Sequence, residues 1–222
     1  MNRSIPFICA ALLMCGKGAA AQTIDLTPAD PKRWDVSVHA GWLSGSETEL
    51  AEDWNDLYDT FAVSAEAGRY WTPHFKTEVG GTFTTEGTVF STERLDVPGQ
   101  PFPVFVTRQH HIRLDALTVS AGWQFFENTL VHPFVASGIQ VGRERTRSEA
   151  PFGPPFDREG RPIPVPLPGE TTTIDVDARP FVSGGAKFYF SENGFFRTDL
   201  TVVLDSDGVS RTHWRAGFGV DF

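Results

Sequence analysis

Acidic and basic side chains recur at two-residue spacing along this chain: Lys76 and Glu78, then Asp175, Asp177 and Arg179, then Arg197 and Asp199. Arg211 and Arg215 keep the same parity. In an extended chain residues i and i+2 share a face. Each set therefore presents its charges to one side of a strand. Asp35, Glu66, Lys187 and Asp221 take the corresponding positions in their own alternating stretches. The acids and bases of this group nearly balance, and the chemistry open to them is pairing. A buried charge without a partner costs several kcal/mol. Two outcomes follow: an interior plugged by salt bridges, or a narrow gated pore in which arginines exchange carboxylate partners.

Other reactive types are sparse. Cys9 and Cys15 are the two cysteines. Both lie in a segment that reads as an export signal, so no disulfide or thiolate chemistry is expected beyond it. His110 and His111 could bind a metal with His132 or His74, but neighbours on a strand point to opposite faces. They read as exposed loop histidines, and no metal or cofactor is expected. Ser210 and His213 are close enough in sequence to suggest a nucleophile and its base. However, His213 falls on the charged parity beside Arg215.

The elements that must position these charges show period two. Trp34, Val36, Val38, Ala40 and Trp42 alternate with Asp35, Ser37, His39 and Gly41. The pattern recurs over Phe61–Tyr70, Phe75–Thr85, a strand entering near His110 and clearest over Leu117–Phe125, and Val131–Arg143. It continues over about Thr172–Phe190, Phe195–Leu204 and Thr212–Phe222, which makes eight strands. On the fifth, both parities are apolar, and Val135, Ile139 and Val141 are placed outward. Three short turns, at Trp71–His74, Glu127–Thr129 and Ser191–Gly194, alternate with longer connections. These are Ser44–Asp59, Glu86–Arg108, Glu144–Thr171 and Asp205–Val209. Proline stops a ladder and presets bends, and it crowds the longest connection.

One face of these strands carries Trp34, Trp42, Trp123, Phe188, Phe196, Trp214 and Phe218, and the other carries the charges. A secreted β-sandwich would also alternate, but it would turn its polar face to water. Charges inside and aromatics outside are what lipid demands. No apolar run reaches the roughly 20 residues of a spanning helix. Strands cross lipid only as a closed barrel, because their backbone groups must pair internally. The expected fold is all-β, an eight-stranded antiparallel up-and-down transmembrane barrel.

The first 21 residues read as a secretory signal peptide: Arg3, the apolar run Ile5–Cys15, then Ala19-Ala20-Ala21 before Gln22. Residues 22–222 then form one barrel domain. Without Arg3 and Lys17, 17 of the 19 basic residues remain against 28 acidic, and the net charge moves from −9 to −11. Such a balance disfavours nucleic acid as a partner.

Ala67 to Gly80, Ala121 to Asn128 and Val131 to Ile139 each read as part of a strand–turn–strand unit, and by these stretches the chain resembles the small outer-membrane barrels of the OmpA, OmpX, OmpW and opacity-protein group. The resemblance implies the cell outer membrane, with short turns in the periplasm and longer loops outside. It implies outer-membrane lipid and lipopolysaccharide as surroundings and the barrel-assembly machinery as a partner in biogenesis. The closing strand, with Trp214, Phe218, Val220 and the terminal Phe222, resembles the assembly signal of such barrels. Phe90, Phe102, Phe105, Phe152 and Phe156 fall in the long connections. They are candidate contacts for a host or cell-surface ligand. The expected role is structural or adhesin-like, as a monomer. The alternative is a narrow passive channel or a lateral route for hydrophobic molecules. A lipid A-modifying enzyme is the third reading; the His-x-Ser-Asn type motif of such deacylases is missing near the C-terminus, and no enzymatic activity is expected.

Overall fold

The computed structural model describes residues 32–46, 57–95, 104–126, 130–150, 169–206 and 208–222. Its strands are β1 Trp34–Ser46, β2 Leu57–Tyr70, β3 Phe75–Thr84, β4 Gly87–Leu95, β5 Val104–Gln124, β6 Val131–Ser148, β7 Thr171–Tyr189, β8 Gly194–Asp205 and β9 Gly208–Asp221. Every pairing is antiparallel. The lower half of β5 pairs with β3, from Trp123 opposite Phe75 to Asp115 opposite Phe83. Its upper half pairs with β4, from Ile112 opposite Gly87 to Val104 opposite Leu95. β3 and β4 are thus two lengths of one stave, interrupted at Thr85 and Glu86. Since β1 pairs with both β2 and β9, the eight staves close into a barrel.

The barrel is staggered. From Trp42, partner follows partner through Trp214, Leu200, Gly184, Val135, Trp123 and Phe75. The Phe75 carbonyl accepts from Trp71, so the circuit returns to the start of β1 and not to Trp42. Tilted strands in a closed barrel require this offset.

Alternation decides the facing of every stave. Trp34, Val38, Trp42, Val63, Val79, Phe83, Val119, Ile139, Val182 and Leu200 are exposed, while Asp35, Ser64, Lys76, Glu78, Lys187 and Arg197 are buried. On β6, Val135, Ile139 and Val141 face outward and Phe134 inward. Aromatic rings gather at both rims of the apolar band. Trp42 meets Phe61 edge-on and stacks on Trp214 at one rim. Phe196 lies against Phe188 and Phe218 at the other. Both ends of the described barrel meet at that second rim, where Trp34 donates to the Phe222 carbonyl and Phe222 to that of Trp34.

Three expectations are corrected. Glu86–Arg108 is not one loop: β4 and the upper part of β5 form a hairpin within it, so Phe90 and Phe105 stand on paired strands. Glu144–Thr171 is shorter as a connection than expected, because β6 runs on to Ser148. Asp175 keeps the inward parity but is exposed. There β7 has outrun β8: the β6–β7 ladder extends to Ser148 opposite Thr171, whereas β7–β8 pairing stops at Phe181 opposite Val203. Phe102, Phe152, Phe156, the turn at 127–129 and the expected signal peptide lie outside the described residues.

Candidate functional site

The inward side chains stack in tiers along the barrel axis. The lowest tier centres on Asp35 of β1, which takes Lys76 of β3 at 2.9 Å and Lys187 of β7. Lys187 lies 3.4 Å from Asp221 of β9 and donates to the Tyr70 hydroxyl at 2.8 Å. Tyr70 donates to Asp35 at 3.2 Å and accepts from Gln124 at 3.1 Å, while Tyr189 donates to Asp221. The Lys187 ammonium also stands 3.9 Å from the centre of the Phe195 ring. A buried ammonium survives only with this density of partners.

Lys76 ties this tier to the next through Glu78. Glu78 accepts from Arg197 Nη1 of β8 at 2.6 Å. Arg197 Nε donates to Asp199 at 2.9 Å, and Nη1 lies 3.0 Å from Glu66 of β2. Arg215 of β9 completes the tier, donating through Nε to Asp199 at 2.6 Å and pairing with Glu66. The Arg197 guanidinium lies 4.4 Å from the Phe134 ring centre, which covers its apolar face. Asp35, Lys76, Glu78, Arg197, Glu66, Asp199 and Arg215 therefore form one continuous chain of ion pairs crossing the lumen. Beside it a cavity of about 20 Å³ is lined by Glu66, Glu78, Gln140, Arg197, His213 and Arg215, among others. That is room for about one water.

The tier above is apolar. Leu43, Ala62, Val89, Ile112, Leu114 and Ala116 form one buried cluster. Here the inward side chains are apolar, while the outward face carries both apolar residues, such as Trp42, Phe61 and Phe90, and polar ones, such as Arg113. Higher still, His110 holds Ser91 of β4 at 2.6 Å through Nε2 and Ser148 of β6 at 2.8 Å through Nδ1. His111 faces the other way and lies 3.1 Å from Glu149. The adjacent histidines thus serve two faces, and the expectation of exposed loop histidines is corrected: both stand on β5, and His110 is buried.

A second charge group sits at the mouth. Arg211 pairs with Glu144 at 2.5 Å and lies 4.0 Å from Asp177. Arg179 holds Asp177 at 2.5 Å and Asp205 at 3.3 Å. The Ser206 amide and then Arg179 hold the Asp205 carboxyl below its usual range. Ser210 accepts from Arg179, and both Ser210 and His213 are buried in the lumen. Neither faces the lipid, where an acyl substrate would lie.

The structure brings twelve of the thirteen charges singled out from sequence into these two groups, with Asp175 apart. Trp214, Phe218, Val220 and Phe222 are all exposed on the outer face of the last stave. Sequence reasoning passed over Tyr70, Tyr189, Gln124, Glu144 and Asp205. Tyr70 and Tyr189 share the parity of Glu66 and Lys187, which could have found them. Gln124 likewise shares the parity of Ser120.

The family model described as outer membrane protein beta-barrel domain matches residues 7–222. Among solved structures, Neisserial surface protein A is similar at a TM-score of 0.53 and 13% identity, covering 85% of this chain and 97% of that one. OprG of Pseudomonas aeruginosa is similar at 0.49 and 10%, covering 86% and 97%. Ail of Yersinia pestis, solved with the heparin analogue sucrose octasulfate, is similar at 0.44 and 12%, covering 86% and 99%. At these identities the likeness is one of fold. No curated protein sequence matches the chain.

Proposed function

Because this chain belongs to the outer-membrane protein β-barrel family and resides in the cell outer membrane, we propose that it is a non-conducting barrel with a structural or adhesin-like role at the cell surface. The observation that carries this reading is the continuity of the lumen contents. Ion pairs cross from Asp35 to Arg215, and an apolar tier lies above them. A water path would need both tiers to open. Moving one unpaired ion out of that network costs several kcal/mol.

What remains available for work is the outside. β4, the upper half of β5, and the adjoining lengths of β6 and β7 rise beyond the level of Trp42 and Trp214 as a wall above the membrane. Phe90 stands exposed on it. Phe102, Phe152 and Phe156 belong to the connections that join these strands. An exposed aromatic such as Phe90 on a paired strand suits contact with another surface. In the same reading residues 1–21 direct export, the aromatic face of β9 including Phe222 engages the assembly machinery, and the barrel works as a monomer without catalysis. Neisserial surface protein A is by its name a surface protein, but that likeness supplies fold, and the role rests on the lumen.

The test joins two measurements on folded protein. Planar lipid bilayers should stay silent, and cells displaying the protein should bind a host or abiotic surface in a manner lost when residues 151–168 are shortened. Discrete conductance steps would replace this reading with the narrow channel.

A further inference from the structure

Arg113 of β5 and Arg145 of β6 are direct cross-strand partners, and both side chains are exposed on the outward face. Like charges directly opposite one another destabilise a sheet. The rung below sets Arg143 opposite Asp115, and the rung above sets Arg147 opposite His111. Nearby acids are already committed: Asp115 to Arg113 at 3.3 Å, Glu170 to Arg147 at 2.5 Å, and Glu149 to His111. Among the described residues, Arg143 and Arg145 have no carboxylate partner. In a chain of net charge −9, this concentration of cations is local and built against the overall balance.

Its height identifies the ligand. The last apolar outward pair on these two strands is Leu117 and Val141. Allowing for the stagger of the barrel, that pair stands level with Trp42 and Phe61. Each rung above it adds about 7 Å of strand. Arg143 is therefore one rung, and Arg113 with Arg145 two rungs, past the apolar band. That is where outer-leaflet headgroups begin. Across on β7, Val176 faces Arg143 and Ile174 faces Arg145, and both are exposed. Each cation thus has an apolar neighbour on the same face, an arrangement for a ligand with both a phosphate and a carbon skeleton.

We propose that Arg113, Arg143 and Arg145 form a binding site for the phosphorylated headgroup of an outer-leaflet glycolipid. The phosphate oxygens accept from the opposed guanidinium groups and relieve their repulsion, as charge-assisted and bidentate arginine contacts do. The carbon skeleton of the headgroup lies against Val176 and Ile174. This site rests on the surface reading only for which end of the barrel is external; it does not depend on whether the lumen conducts.

The test titrates detergent-folded, full-length protein with bisphosphorylated lipid A and, separately, with its dephosphorylated form. Folding of each variant is checked by heat-dependent gel mobility. Arg113→Gln/Arg145→Gln should weaken binding of the phosphorylated lipid by about tenfold or more and leave the dephosphorylated form unaffected. Arg113→Lys/Arg145→Lys, which keeps the charge and loses the fork, should recover part of it. Equal binding of the two lipids, or no effect of the glutamines, would overturn the site. Inorganic phosphate that displaces the lipid at millimolar concentration would overturn the glycolipid and leave a free-anion site. Conductance, measured on the same samples, tests the surface reading independently.

Discussion

Glu78 and Arg197 meet across the lumen at 2.6 Å although 119 residues separate them in the chain. One sits on β3 and the other on β8, on opposite sides of the barrel, and both are buried. Each is held by further partners: Lys76 on the glutamate, and Asp199 with Glu66 on the arginine. The contact ties the two halves of the barrel through its centre, where a hydrophobic core would sit in a soluble domain.

Replacing Glu78 by leucine should therefore be costly. It leaves Lys76 and Arg197 short of an anion in a site without bulk water, and a loss of about 3–5 kcal/mol is expected for breaking such a network. Asp175→Asn is the comparison, since Asp175 is an exposed carboxylate that parity alone would class with Glu78. Its effect should stay within about 0.5 kcal/mol. Urea unfolding in lipid vesicles measures both. Equal losses would mean that the lumen network does not carry stability.

Depth, not exposure, should govern substitutions on the outer face. Val119 and Val176 are exposed to similar degrees, 60% and 63%. Val119 sits in the apolar band and Val176 above it. Val119→Arg is expected to destabilise by about 2–4 kcal/mol and Val176→Arg by about 0–1 kcal/mol. The same unfolding measurement decides it. Matching costs at the two sites would misplace the membrane boundary.

The staves within the lipid band were legible because the environment there obeys one rule. Apolar groups face out and polar groups face in, so Trp34 to Trp42 or Leu117 to Gln124 declares both strand and facing. Above the band the rule lapses, and apolar residues stand on both faces. Val89, Ile112 and Leu114 point inward while Arg113 points outward, and a reader keyed to outward apolar residues sees no strand in Gly87–Leu95. Asp175 shows a different limit. Its parity is that of the inward residues of β7, but its burial depends on how far β8 reaches beside it, and strand length on a neighbouring stave is not written locally. Pairing partners, such as Glu78 with Arg197, depend on the stagger of the whole barrel.

The upper section should also have its own stability. His110 links Ser91 of β4 to Ser148 of β6 inside the wall. His110→Ala removes both bonds and leaves two buried hydroxyls to find new partners, at about 1–3 kcal/mol. The loss should be local, since β4 forms a ladder with β5 alone. Hydrogen exchange is the measure: amides of Gly87–Leu95 should exchange faster while those of β8 and β9 keep their rates. Uniform acceleration across the barrel would show that the wall is not a separate unit.

Closure of the barrel depends on the β1–β9 seam, where Gly217 stands opposite His39. A side chain at Gly217 would run into the Val38 carbonyl oxygen and the His39 backbone, neither of which is the end of a flexible group. The two strands could then approach only by giving up ladder bonds at that level, and in lipid unpaired backbone groups cost several kcal/mol each. Gly184 on β7 is the contrast, because a methyl there meets only the Phe134 carbonyl oxygen, at 3.8 Å. Gly217→Ala is expected to reduce the yield of folded, heat-modifiable protein sharply, while Gly184→Ala folds like the parent. Gel mobility before and after heating reads both. Normal folding of Gly217→Ala would mean that the seam has slack, and that closure is set by the ion pairs of the lumen and not by the fit of the first stave against the last.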